Sequence, residues 1–342
     1  MKLVTYTAGG PARSGLFVGD DLGKGTVIDL VRGLGWVARR RGGARDEAAV
    51  IAQYGTTVLA FVERARETRP VADEALAAHG RGDLPESEAG GRLVLPARDV
   101  TLCAPIPRPP SMRDGYAFRQ HVETARKNRG LEMIPEFDQF PVFYFTNHEA
   151  VVGPGPVRVK PRHLEKLDFE LEAAIVVGRE GRDLDAKNAD AHVFGMTIMN
   201  DFSARVLQMD EMKLSLGPAK GKDFATGLGP WLVTMDELAP AISKSDTGAK
   251  FDLEMRAFVN GVQVSKGNVK DMNWTFAQIL ERASYGVTLY PGDVIGSGTC
   301  GTGCFLELNG SNLTKDQWLK TGDVVALEID RLGRLENTIA AD

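Results

Sequence analysis

Glu170 and Glu172 stand two residues apart in LDFELEAAIVVG, a segment dense in apolar and β-branched residues. Such a segment reads as a strand, and along a strand residues i and i+2 share a face. Both carboxylates would then point the same way, about 7 Å apart at their α-carbons by strand rise, from an element that should be largely buried. Unpaired, they would repel and lose hydration at heavy cost, so a cation is expected between them. Asp114 in MRDGYAFRQH and Asp201 in FGMTIMNDFSARVLQ could complete the set. Oxygen ligands favour a hard divalent cation (Mg²⁺, Ca²⁺ or Mn²⁺) over zinc. Each acid taken alone could equally be half of an ordinary salt bridge.

Asp201 ends an apolar run where a helix is due, so it can project into a site or cap that helix. Arg205 and Gln208, three apart on the helix expected over 203–214, share a face and offer a cation and an amide. Asp114 and His121 are seven residues apart, two turns and one face if the segment is helical. His121 is either a satisfied packing residue or, beside a metal, a general base. Lys222 lies in GPAKGKDFATGLGP, which fails as a phosphate loop because Asp223 follows the lysine. Gly296–Gly301 satisfies G-x-G-x-x-G, but CFLELNG after it reads as a strand, leaving no helix end for a pyrophosphate. Cys103, Cys300 and Cys304 are too few for a disulfide framework, and the last two read as small packing residues.

The elements that must hold these residues divide at a proline-rich connector. APIPRPPSMRD, residues 104–114, carries four prolines and should run extended. Residues 1–100 read as a small α/β domain with strands at 2–6, 15–18 and 26–30 and one long helix over 46–68. Residues 101–342 read as mostly β, with few helices (203–214, and 274–284 capped by Asn273) and a hairpin turning at Asn260-Gly261. The fold class is α+β, with a β-rich roll or sandwich as the catalytic part.

At 342 residues, with a formal charge of −5, the chain offers no basic surface for nucleic acid. Arg39 to Gly43, which includes the only basic block, should be a solvated loop. There is no signal-like start and no apolar run of about 18 residues. A cytoplasmic protein with a small-molecule substrate, and neither nucleic-acid nor membrane partner, is expected.

DGYAFRQH, DFELEAAIVVG, NDFSARVLQ, GKDFATGLGPW, GSGT and FLELNG occur in an order and spacing that resembles the fumarylacetoacetate hydrolase family over residues 100–340. The resemblance implies a mixed β-roll, a homodimer and a divalent cation held by Asp114, Glu170, Glu172 and Asp201. It implies His121 as base, oriented by Glu307, with Arg205, Gln208 and Lys222 on substrate and oxyanion. Lys222 and Thr226 match positions lining a second cation site in some members. Tyr116, Tyr144, Arg129 and Thr299 would border the substrate. Two departures stand out. Smaller relatives place a glutamate where this chain has Thr124, with Glu123 off by one, which favours the Glu307 dyad. Met212 stands where the mammalian-type enzymes place a tyrosine, four residues after the glutamine.

The activity so implied is hydrolysis of a C–C bond in a dicarboxylic 1,3-diketo acid such as fumarylacetoacetate or fumarylpyruvate. The alternative is an isomerase, decarboxylase or dehydratase of 2-oxo acids working through the same enolate. A module keeping the metal for stability alone would need neither base nor oxyanion donors.

Overall fold

Strand Leu171–Val177 is buried at every position, and the fold is built outward from it. In the computed structural model, which describes residues 1–43 and 46–342, it lies between Val193–Asp201 and Val294–Gly296. Met112–Gly115 follows, parallel to Val294–Gly296, and then Phe143–Phe145. On the other side Val193–Asp201 pairs with Thr226–Thr234, and that strand with Lys2–Thr7. Arg13–Val18, Thr26–Asp29 and Val94–Pro96 complete this edge of a 12-stranded mixed sheet. A second sheet of five strands runs Gly155–Val159, Gly333–Ala341, Val324–Ile329, Glu254–Val259, Val262–Asn268.

Alternation along the strands separates two cores. Leu171, Ala173, Ile175 and Val177 belong with the side chains of the five-stranded sheet. Ala174 and Val176, with Met112 and Met199, pack instead with the helices of the amino-terminal region. The large sheet therefore passes residue 100 without a break, and the 1–100 region shares both sheet and core with the rest. The fold is α+β with a β-rich catalytic part. Among the described residues no helix is long and apolar enough to cross a membrane.

Several local expectations are corrected. The helix expected over 46–68 is three: Glu47–Tyr54, Val58–Glu63 and Ala65–Gly80. Gly55 at φ +76° ends the first, and Thr57 caps the second by accepting from Ala60 N. Leu30–Arg40 is a further helix, so Arg39 and Arg40 form its last turn and not a loop; Arg39 Nη2 reaches Glu88 at 2.6 Å. Its glycines hid it: Gly35 sits so close to Val50 that a Cβ would come within 3.2 Å of that side chain. The 274–284 helix is Phe276–Ser284, capped by Thr275 and not Asn273, because Gln278 completes a capping box. The 203–214 helix is Arg205–Met212. FLELNG is a helix, Phe305–Gly310, and not a strand. The hairpin does turn at Asn260-Gly261, both at positive φ (50° and 79°), as a type I′ turn requires.

Candidate active site

Four adjacent strands bring the acids together. Glu170 precedes and Glu172 occupies Leu171–Val177, Asp201 ends its antiparallel neighbour, and Asp114 lies on Met112–Gly115. By alternation with Ala174, Met199 and Met112 they share one face of the sheet, just beyond the amino-terminal helices. Their ligand oxygens lie within 4.8 Å of one another, all buried. Asp201 thus projects into the site and does not cap a helix. Asp114 and His121 reach it from a strand and from helix Arg119–Lys127, not from one helix face.

The intervening strand makes room. A Cβ on Gly296 would meet Asp114 Oδ1 at 2.5 Å and Glu172 Oε2 at 3.0 Å. Gly298, at φ +75°, donates its N–H to both, at 3.1 Å and 3.0 Å. The glycine motif excluded as a dinucleotide loop is the floor of the acid cluster. The strand expected after it is the Phe305–Gly310 helix, whose first N–H groups are taken by Asp168.

One ammonium faces the four carboxylates. Lys222 Nζ contacts Glu170 Oε2 at 2.7 Å and also Asp201 Oδ2. Burial works against its charge, but Asp201 and Glu170 outweigh burial and raise its pKa. As an ammonium it has no lone pair for a cation, so its place is that of a counter-ion rather than a ligand. Thr226 sits opposite Asp201 across the strand pair. Burial likewise opposes Glu170, yet Lys222 and Arg205 hold it at about 2. Burial first, then Asp201 for Asp114 and Asp114 for Glu172, push both well above the usual carboxylate range; Lys222 offsets this only in part for Asp114, and no cation is beside Glu172. Burial also raises Asp201 against the pull of Lys222.

These residues fit a hard divalent cation. Glu172 Oε1 and Asp201 Oδ1 are buried with no hydrogen-bond partner, a state that costs about 1–3 kcal/mol per group. A donor set made wholly of carboxylate oxygens suits Mg²⁺, Mn²⁺ or Ca²⁺.

Beside the cluster, a cavity of about 770 Å³ is lined by Asp114, Glu170, His121, Tyr116, Tyr144, Arg129, Arg205, Gln208, Lys222 and Thr299. Met212 lines it too. His121 Nδ1 lies 2.6 Å from Glu307 Oε2, both buried. With the carboxylate accepting from Nδ1–H, Nε2 is left as the basic nitrogen. Tyr116 stands edge-on to the imidazole at 5.7 Å. Tyr144 donates its hydroxyl to Asp201 Oδ2 at 2.6 Å, and burial, then Asp201, raises its pKa well above the ordinary value.

Arg205 turns its guanidinium toward the acid cluster, which it meets at Glu170. Its guanidinium binds Asp168 Oδ2 and Glu170 Oε1, and donates to Gln208 Oε1 at 3.0 Å. That turns the NH₂ of Gln208 away from Arg205. Asp168, Gly296 and Gly298 are site residues that sequence reasoning missed. The available signals were the acid two before Glu170 in DFELE and the paired glycines of GSGT.

A family model described as "Fumarylacetoacetate (FAA) hydrolase C-terminal" matches residues 111–340. A mitochondrial oxaloacetate tautomerase of Homo sapiens is 33% identical over 285 residues, covering 83% of this chain and 79% of its own. An oxaloacetate tautomerase of Bacillus subtilis is 31% identical over 255 residues, covering 73% and 76%. The solved fumarylacetoacetate hydrolase of Exiguobacterium antarcticum superposes with a TM-score of 0.67 at 25% identity, both chains covered in full. The chain belongs to the fumarylacetoacetate hydrolase family.

Proposed function

We propose that this protein is a cation-dependent keto–enol tautomerase acting on a small 2-oxo dicarboxylate of the oxaloacetate class. One observation carries the reading: the buried His121–Glu307 pair shares the cavity with the acid cluster, while the two buried cations beside that cluster are already paired with carboxylates. Arg205 is paired with Asp168 and Glu170, and Lys222 with Glu170 and Asp201. Moving a proton between carbon and oxygen needs a base and an electrophile; hydrolysis needs free oxyanion donors as well. The two relatives named as oxaloacetate tautomerases support the same choice.

A divalent cation held by Asp114, Glu170, Glu172 and Asp201 would supply Lewis acidity toward the 2-oxo carbonyl. Glu307 fixes the tautomer of His121 with Nε2 unprotonated. Nε2 takes a proton from the carbon next to the carbonyl; the C–H electron pair becomes the C=C bond and the carbonyl oxygen takes up the negative charge. The imidazolium then returns its proton to that oxygen, giving the enol, and the reverse steps restore the ketone. Arg129 and the Gln208 amide orient the carboxylates.

Hydrolysis of a dicarboxylic 1,3-diketo acid such as fumarylacetoacetate or fumarylpyruvate is the second reading, favoured by a cavity larger than a four-carbon acid fills. There His121 would take its proton from water, and Arg205, Gln208 and Lys222 would donate to the oxyanion. The test follows enol absorbance of oxaloacetate, diketone absorbance of fumarylpyruvate and acetylpyruvate, and CO₂ release, all under Mg²⁺ or Mn²⁺. Faster oxaloacetate interconversion with intact diketo acids is expected; diketone cleavage or CO₂ release without tautomerisation overturns the reading. Homodimeric assembly belongs to the same proposal and is tested by light scattering.

A further inference from the structure

Asp168 is fully buried and takes no part in the steps above, yet its carboxylate meets more donors than either half of the site needs. Oδ1 accepts from the backbone N–H of Phe305 at 2.7 Å and of Phe169 at 2.9 Å. Oδ2 accepts from Leu306 N at 2.9 Å and from Arg205 Nε at 2.8 Å, and Arg205 Nη2 lies 2.7 Å away.

Two of those donors are the first N–H groups of helix Phe305–Gly310, which has no side-chain cap of its own from Cys304. That helix carries Glu307, so the carboxylate of Asp168 sets the height and rotation at which Glu307 meets His121. Another donor, Arg205, spans from Asp168 to Glu170 Oε1 at 2.8 Å. Without Asp168 the guanidinium would fall wholly to Glu170 and weaken that carboxylate as a cation ligand. Simple neutralisation of a buried arginine would require neither helix-end contact.

We propose that Asp168 is the positioning residue that couples the His121–Glu307 dyad to the cation-holding carboxylates. The inference rests on dyad and cluster working as one site, but its tests read the protein without substrate. A wrong substrate assignment would therefore leave their outcome unchanged.

Asp168→Asn puts an NH₂ group against these donors. Calorimetric titration with Mn²⁺ is expected to show roughly 10- to 100-fold weaker binding than the parent, the usual cost of losing a partner that orients a ligand. The low-field proton resonance of His121 Nδ1–H, assigned by its loss in Glu307→Gln, is expected to shift upfield or vanish. Asp168→Glu keeps the charge for Arg205 but is too long for the helix-end contacts. It should hold Mn²⁺ affinity within a few-fold while still disturbing the His121 resonance. Parent-like affinity together with a parent-like resonance in folded Asp168→Asn overturns the proposal. So does the failure of both variants to fold, since the residue would then be structural only.

Discussion

Lys222 holds its ammonium 2.7 Å from Glu170 Oε2 while also contacting Asp201, so one side chain neutralises two members of the acid cluster. Removing one partner of a buried ion pair leaves an uncompensated charge and costs about 3–5 kcal/mol. Lys222→Met should therefore lose stability of that order in chelator-treated buffer. Added Mg²⁺ or Mn²⁺ should restore part of it, because a second cation then serves Glu170 and Asp201. Urea melts with and without chelator measure both; a variant as stable as the parent in chelator contradicts the pairing.

Glu172 has the opposite problem, with no cation beside it and one oxygen unpartnered. Glu172→Gln removes a repelling charge and supplies an NH₂ donor facing Asp114. The variant should equal or exceed the parent's melting temperature in chelator, yet gain nothing from divalent cation. The parent should gain about 2.7 kcal/mol at a hundredfold excess over its Kd. Equal cation responses in the two proteins would remove Glu172 from the ligand set.

His121 and Glu307 act as one unit in the proposed proton transfer. His121→Asn and Glu307→Gln should each lower turnover by roughly 10²- to 10⁴-fold, while Mn²⁺ affinity stays near the parent's. The double variant should be little worse than His121→Asn alone, since Glu307 works only through the imidazole. Multiplying losses in the kinetic cycle would mean that Glu307 has a separate task.

How far the site is legible in sequence depends on the distance over which each cause acts. Glu170 and Glu172 declare themselves because period-2 alternation is local and a buried pair of acids needs an explanation. Asp168 stands two residues earlier on the same pattern, but its partners, Phe305 N and Leu306 N, are 137 and 138 residues away. Its one local signal is that place in the alternation, which does not by itself separate it from an acid at the strand's solvent end. FLELNG shows the same limit for the fold. Its alternating apolar residues suit a strand, and it becomes a helix because Asp168 satisfies its first N–H groups. The sheet crossing residue 100 is equally non-local: Lys2 and Leu3 pair with Val233 and Leu232, while the prolines between suggest a division.

Gly296 offers a test of the floor of the site. Its φ is not in the left-handed region, so alanine is acceptable to the backbone. The cost is steric, with a methyl 2.5 Å from Asp114 Oδ1 and 2.7 Å from Met199 Sδ. Gly296→Ala should lose about 1–3 kcal/mol of stability and bind Mn²⁺ more weakly, because Asp114 must move. A variant with parent-like cation affinity would show that Asp114 is not held where the cluster requires it.

Cys300 gives the pH prediction. Burial first, and then the Glu307 charge, push its thiol up to about 12, whereas an unfolded cysteine titrates near 8.5. Between those values the native state binds more protons than the unfolded one, so stability falls as pH rises. Below the unfolded value the contribution is complete and the curve is flat in this respect. Cys300→Ala removes the term. From pH 8.5 to 10.5 the parent should lose up to roughly 1.4 kcal/mol per pH unit more than the variant, on top of losses both share from tyrosine and lysine. Urea titrations of the two proteins across that range measure the difference. Parallel stability curves would mean that the Cys300 thiolate is tolerated inside the fold, and that the core around Glu307 is wetter than its burial indicates.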